Sequence, residues 1–260
     1  MRVVVTGGDT FVATGGRDFD ASLPAIVFLH GAGMDHTVWA LLARAFAHHG
    51  HAVLAPDFPG HGGSAGAPLK SIGALADWTA ALIEASGVSA ARIVGHSMGS
   101  LVALETATRH PDRVTGLGLI ATAVTMRASD DLINAARAND HAAVDMIAIW
   151  GEGYRATFGG SQAPGLWMLG GAERLLERAQ PGAIFADLSA CNDYPDALSA
   201  AAKISVPSIV IQGSRDRMTP AKGGQALAAA IPNCRLALIE GAGHMLMSER
   251  PDEVLAALRN

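Results

Sequence analysis

Charge and aromatic rings are both scarce in this chain of 260 residues: 17% of positions are charged and 5% are Phe, Trp or Tyr. A core of this composition has to be built mainly from Ala, Val, Leu and Ile, and half of the residues are hydrophobic. The formal net charge is −5, with Lys and Arg scattered rather than clustered. That excludes nucleic acid as an expected partner, which would call for a basic stripe or patch. No apolar stretch reaches the roughly 18 residues of a membrane span, so no span is expected. The apolar run that opens the chain is also too short for a signal peptide. The two cysteines, Cys191 and Cys234, are far apart and lack C-x-x-C spacing. They read as small core residues in a reducing compartment, which makes the cytoplasm the expected location. H-E-x-x-H, a carboxylate cluster and a G-x-G-x-x-G after a strand are all missing, so neither a metal nor a cofactor is expected. Nothing in the pattern specifies an oligomeric state.

What is present is an alternation of elements, on a length that suits one α/β domain. Residues 2–6 and 11–14 flank Gly7-Gly8-Asp9-Thr10 and read as a hairpin. Strand-like segments follow at 25–29, 52–55, 92–94 and 114–121, and helical ones at 37–49, 72–86 and 100–109. This order predicts a mostly parallel sheet covered on both faces. From about 125 to about 201 the strand signal stops, and helical segments at 130–139, 142–150, 172–179 and 183–190 take its place. Alternation resumes with 206–212, 220–230, 236–240 and 251–258. The expected organisation is a core of residues 1–124 and 202–260 carrying an inserted helical lid, residues 125–201, over the carboxyl edge of the sheet. Ligands bind at that edge in such folds.

Chemistry enters at Gly95-His96-Ser97-Met98-Gly99, a G-x-S-x-G turn between a predicted strand and a predicted helix. Such a turn holds a serine in a strained, exposed conformation suited to a nucleophile. A serine hydroxyl needs a base near neutral pKa, which points to histidine, and the base needs a carboxylate to orient it. Of ten histidines, His244 stands out, at the end of the small-residue loop Glu240-Gly241-Ala242-Gly243 after the last predicted strand. His48, His49 and His51 crowd a helix end, and His110 and His141 read as surface positions. Asp216, just after the strand that ends near Gln212, is the candidate acid; the segment after the preceding strand, 119–124, holds no carboxylate. The order Ser97, Asp216, His244 is the one expected for this elbow. Oxyanion donors are expected from the N–H groups of Met98 and of Ala32, which lies in His30-Gly31-Ala32-Gly33. Met126, Met146, Trp150 and Met245 are candidates for an apolar, adaptable substrate pocket.

The His30-Gly31 turn, the segment Asp57-Phe58-Pro59-Gly60-His61-Gly62-Gly63-Ser64, the elbow and the Asp216 and His244 loops together resemble the α/β-hydrolase superfamily. The resemblance covers nearly the whole chain and is to lid-bearing esterase- and lactonase-like members. It implies an α/β-hydrolase fold with an eight-stranded sheet, acyl-enzyme chemistry and no cofactor. The function it implies is serine-dependent cleavage of small, largely apolar carboxylic esters. Serine at the elbow, where epoxide- and halide-processing relatives carry aspartate, excludes those reactions. A lactonase, a carbon–carbon bond hydrolase or a perhydrolase can use the same triad, and a ligand receptor with little turnover is a reading of another class. Two features depart from common patterns: Ser100 stands where many relatives have glycine, and the His-Gly-x loop is shorter than the triple-glycine type.

Overall fold

The computed structural model describes residues 1–157, 167–194 and 197–259. The chain begins with a hairpin, β1 (Arg2–Val5) and β2 (Gly8–Ala13). Its turn is shorter than the sequence suggested. Thr6 and Gly7 both take positive φ, 46° and 85°, the two-residue geometry that matches strand twist. Gly8, Asp9 and Thr10 therefore pair with Val5, Val4 and Val3 instead of forming the loop.

Strand β3 (Ala25–Leu29) leads through a 3₁₀ turn (His36–Trp39) into α1 (Ala40–His48) and β4 (Ala52–Pro56). The single helix expected over 37–49 is split because the Asp35 carboxylate accepts the Thr37 N–H and starts a tight turn first. Next come α2 (Ile72–Ala85), β5 (Ala91–His96), α3 (Met98–Arg109) and β6 (Val114–Ile120). Among the described residues, six helices separate β6 from the next strand: α4 (Asp130–Ala138), α5 (Ala142–Gly151), α6 (Tyr154–Thr157), α7 (Met168–Leu176), α8 (Ala183–Asn192) and α9 (Ala197–Ala201). The chain closes with β7 (Ser208–Gly213), α10 (Ala221–Ala230), β8 (Cys234–Ile239), α11 (Leu246–Glu249) and α12 (Pro251–Arg259). Helices α6, α9 and α11 went unpredicted because one turn is too short to show a 3.6-residue period.

The eight strands form one sheet in the order β1-β2-β4-β3-β5-β6-β7-β8. Pairing is antiparallel for β1–β2 and β2–β4 and parallel from β4 through β8. Both faces are buried. In β3, Val27 and Leu29 join the cluster that α2, α3 and α10 supply, while Ile26 and Phe28 join the opposite cluster with α1 and α12. The period-2 alternation of β3, with apolar residues on both faces, is why its sequence reads as a continuous apolar run. The parallel strands all point their carboxyl ends toward one edge, and the loops bearing Ala32, Ser97, Asp216 and His244 leave from it. Among the described residues no helix is long and apolar enough to cross a membrane.

Candidate active site

Ser97 lies between β5 and α3 at φ 52°, ψ −120°, a left-handed conformation that costs a non-glycine residue on the order of 1–3 kcal/mol. Close packing holds it there. A Cβ on Gly95 would fall 2.0 Å from the Gly99 carbonyl oxygen, and one on Gly99 would fall 2.3 Å from the Leu29 carbonyl oxygen. The glycines two residues either side of Ser97 are thus demanded by strand, turn and helix crowding together. Ser100 fits without a glycine, since its hydroxyl donates back to the Ser97 carbonyl oxygen at 2.6 Å.

His244 follows β8 and is 1% exposed. Its Nδ1–H donates to Asp216 Oδ2 at 2.8 Å. The same carboxylate oxygen accepts the Thr219 hydroxyl at 2.7 Å, and Oδ1 accepts the Met218 and Thr219 N–H groups at 2.9 and 2.8 Å. Burial pushes the Asp216 pKa up, but the neighbouring His244 ring and these donors outweigh it and hold it below the usual carboxylate value. With Nδ1 carrying the proton, Nε2 is left as a lone pair, and it has no hydrogen-bond partner among the described residues. Ser97 and His244 line one cavity of about 250 Å³. The serine hydroxyl does not bond to Nε2 in this structure; such bonds often tighten only around a bound substrate.

The Ala32 loop closes over Ser97, since a Cβ on Gly31 would lie 3.3 Å from the Ser97 Cβ. The Met98 and Ala32 N–H groups donate to no acceptor among the described residues. Unpaired backbone donors are rare in protein interiors, which makes these two N–H groups, in the loops around one serine, candidates for holding an oxyanion. Met98 is completely buried.

Met126, Trp150 and Met245 line the cavity, with Met34, Leu132, Leu176 and Leu188. Met146 does not. On α5 the cavity face is Ile147, Ala148, Trp150 and Gly151, and one residue of helical phase turns Met146 into the packing cluster instead. Among the described residues, Arg127 and Arg217 are the lining side chains with permanent charge. Neither forms an ion pair or side-chain hydrogen bond among the described residues. Cys191 also lines the cavity, and burial pushes its thiol pKa up. Both cysteines are unpaired.

Several polar groups around the site escaped the sequence reading. His96 donates its Nε2–H to the His244 carbonyl oxygen at 3.0 Å, and burial pulls its pKa down to about 3, so it stays neutral. His30 gives Nδ1–H to the Gly31 carbonyl oxygen and accepts the Phe58 N–H on Nε2, which fixes its neutral tautomer. Asp187 on α8 accepts His61 Nε2–H at 2.9 Å and the Gly33 N–H at 2.8 Å. No sequence signal marks Asp187; its importance comes from where α8 lands.

Asp35, His36 and Asp57 offer ligand atoms within 4.8 Å of one another. Those atoms are already committed. Asp57 Oδ1 accepts both the backbone N–H and Nδ1–H of His36, its Oδ2 accepts the Gly63 N–H, and Asp35 Oδ2 pairs with Arg178. The set acts as a loop brace, and the Asp57–Ser64 motif is part of that brace.

Comparison with known proteins gives the family and the fold. The model of the alpha/beta hydrolase fold family matches residues 24–251. The chain is 30% identical over 243 residues to the pimeloyl-[acyl-carrier protein] methyl ester esterase of Chromobacterium violaceum, covering 90% of this chain and 92% of that protein. It is 33% identical over 252 residues to the protein of the same name from Xanthomonas campestris pv. campestris, covering 90% and 93%. Among solved structures, the enol-lactonase from Burkholderia xenovorans LB400 aligns with a TM-score of 0.87 at 25% identity, over 100% of this chain and 98% of that one.

Proposed function

Since this chain belongs to the alpha/beta hydrolase fold family, we propose that Ser97, His244 and Asp216 are the catalytic triad of a serine hydrolase acting on carboxylic esters. The chain is an ester-bond hydrolase, as the esterases and the lactonase it resembles are named. Ser97 Oγ attacks the ester carbonyl carbon while His244 Nε2 takes its proton. The tetrahedral oxyanion sits on the Ala32 and Met98 N–H groups. His244 returns the proton to the leaving alcohol, then activates water to release the acid from Ser97. Asp216 fixes the tautomer and stabilises the imidazolium.

The observation that carries this reading is the state of His244. Its Nδ1–H is committed to Asp216, and Nε2 is a buried, unpartnered lone pair in the cavity that Ser97 enters. Among the described residues His51 and His96 also leave a buried Nδ1 without a partner, but neither lines the cavity with Ser97, and His244 does. The helices of residues 125–201 serve as a cap, with α4, α5, α7 and α8 supplying most of the apolar lining.

The lining also supports a substrate class. An apolar acyl chain fits the Met, Leu and Ile walls, and Arg127 and Arg217, exposed at the cavity lining, favour a negative group elsewhere on the substrate. A methyl ester, the bond named for the esterase relatives, asks little room on the alcohol side. Acyl methyl esters ending in a methyl or a carboxylate group test this directly. The carboxylate series is expected to show the higher kcat/KM, and R127A and R217A are expected to lower it for that series alone. Equal rates for both series would remove the anionic preference. S97A, which is expected to abolish turnover of every ester, tests the triad.

A further inference from the structure

Helix α8 lies over the oxyanion loop with one face. Ile184, Asp187, Leu188 and Cys191 recur at the spacing of three and four residues that shares a helix face. Ile184 packs against Gly33, where an added Cβ would meet its Cγ1 at 2.7 Å, and Leu188 and Cys191 line the cavity. Between them Asp187 is 1% exposed, and its Oδ2 accepts the Gly33 N–H at 2.8 Å. Gly33 sits at φ 68° immediately after Ala32, so this bond fixes the peptide next to the one proposed to hold the oxyanion.

The carboxylate has a counter-charge. His61 donates Nε2–H to Asp187 Oδ2 at 2.9 Å and Nδ1–H to the Pro59 carbonyl oxygen at 3.1 Å. Both ring nitrogens face acceptors, so the ring carries both protons. His61 is itself 1% exposed, with the neutral His30 ring 5.1 Å away and Asp57 also acting on it. A buried ion pair of this kind is a costly way to gain stability, which makes a positional role the better account of it. Asp187 Oδ1 has no hydrogen-bond partner among the described residues, so the carboxylate is placed for what Oδ2 holds.

We propose that Asp187 is a positioning residue for the oxyanion hole: held by the His61 imidazolium, it locks the Gly33 peptide and thereby the Ala32 N–H. On this reading, which rests on the triad proposed above, the helical insertion does more than enclose substrate. Docking of α8 completes the catalytic machinery, so that a hydrolase with α8 alone displaced would keep Ser97 and His244 yet hold its oxyanion poorly.

The test compares D187N, close to isosteric with Asp, with the unsubstituted protein, using an ester and an alkylboronic acid whose tetrahedral adduct on Ser97 places an oxygen where the oxyanion forms. D187N is expected to lower kcat by about 10- to 100-fold, the range of a weakened oxyanion donor, and to weaken boronate affinity by a similar factor while KM moves little. Loss of thermal stability with kcat and boronate affinity unchanged would overturn the proposal and leave the pair a structural tie. Nitrogen-15 NMR of the unsubstituted protein provides the second readout and needs no variant to fold. Both ring nitrogens of His61 are expected to be protonated at neutral pH, and a neutral His61 would equally overturn it. S97A separates the two readings: if it retained turnover, the triad would fail whatever D187N did.

Discussion

The Gly151 carbonyl oxygen at the end of α5 accepts the backbone N–H of His244 at 2.8 Å and that of Met245 at 3.1 Å. The loop that carries the proposed base is therefore bonded to the helical insertion as well as to the sheet. Gly243 lies in the same contact, its N–H donating to both Glu249 carboxylate oxygens at 3.0 Å.

Two alanine substitutions separate this docking from general crowding. A Cβ on Gly243 would fall 2.4 Å from the Gly153 backbone nitrogen, which cannot move without shifting the insertion. A Cβ on Gly151 would meet only the Met245 and Met218 side chains, at 3.6 and 3.9 Å. G243A is expected to lose about 10-fold or more in kcat, because small displacements of a catalytic group cost that much. G151A is expected to stay within about 2-fold, as an ordinary contact allows. Steady-state kinetics of both variants check this.

The Thr219 hydroxyl donates to the same Asp216 oxygen that receives His244 Nδ1–H. T219V keeps the shape and removes one of the donors that hold the carboxylate ionised. A drop of about 5-fold in kcat/KM is expected, corresponding to a hydrogen bond of about 1 kcal/mol. An unchanged pH–rate profile and an unchanged rate would show that the hydroxyl serves packing only.

Burial, with Glu249 adding repulsion, pushes the Glu152 carboxyl up to about 8, and its Oε2 has no partner among the described residues. A raised folded-state pKa means full stability below the ordinary value of 4.5 and a loss of stability as pH climbs from there toward 8. E152Q removes that penalty. Its melting temperature is expected to exceed that of the unsubstituted protein increasingly between pH 5 and pH 8, a gain that corresponds to about 4 kcal/mol of stability at the upper end. Thermal melts across that range decide it, and a difference independent of pH would contradict the assignment.

What could be read in the sequence follows from how local each feature is. The elbow announces itself because Gly95 and Gly99 are forced by contacts within one strand–turn–helix unit. β3 and β7 were visible because burial on both faces gives them apolar runs, Ala25–Leu29 and Ile209-Val210-Ile211. Asp216 and His244 could be found because each lies just past a strand, where the fold delivers side chains to one edge. The Thr6–Gly7 turn was misplaced by a residue or two, since Gly8 suggested a loop where the backbone was already extended. Asp187 and Glu152 carry no such signal. Asp187 sits in ordinary helical sequence and Glu152 just past the end of α5, and both matter only through long-range docking, Asp187 on Gly33 at a separation of 154 residues. Met146 illustrates the same point on α5, where an error of one residue in phase moves a side chain from cavity to core.

The central claim is that Ser97 becomes acylated and that His244 drives the exchange. Rapid quenching of the enzyme with a p-nitrophenyl ester, followed by peptide mass spectrometry, measures this most directly. The account predicts a burst of nitrophenol and an acyl mass on the peptide containing Ser97, with neither seen in S97A and the burst strongly slowed in H244A. Ester turnover that persists in S97A, or an acyl group found on another side chain, would contradict it.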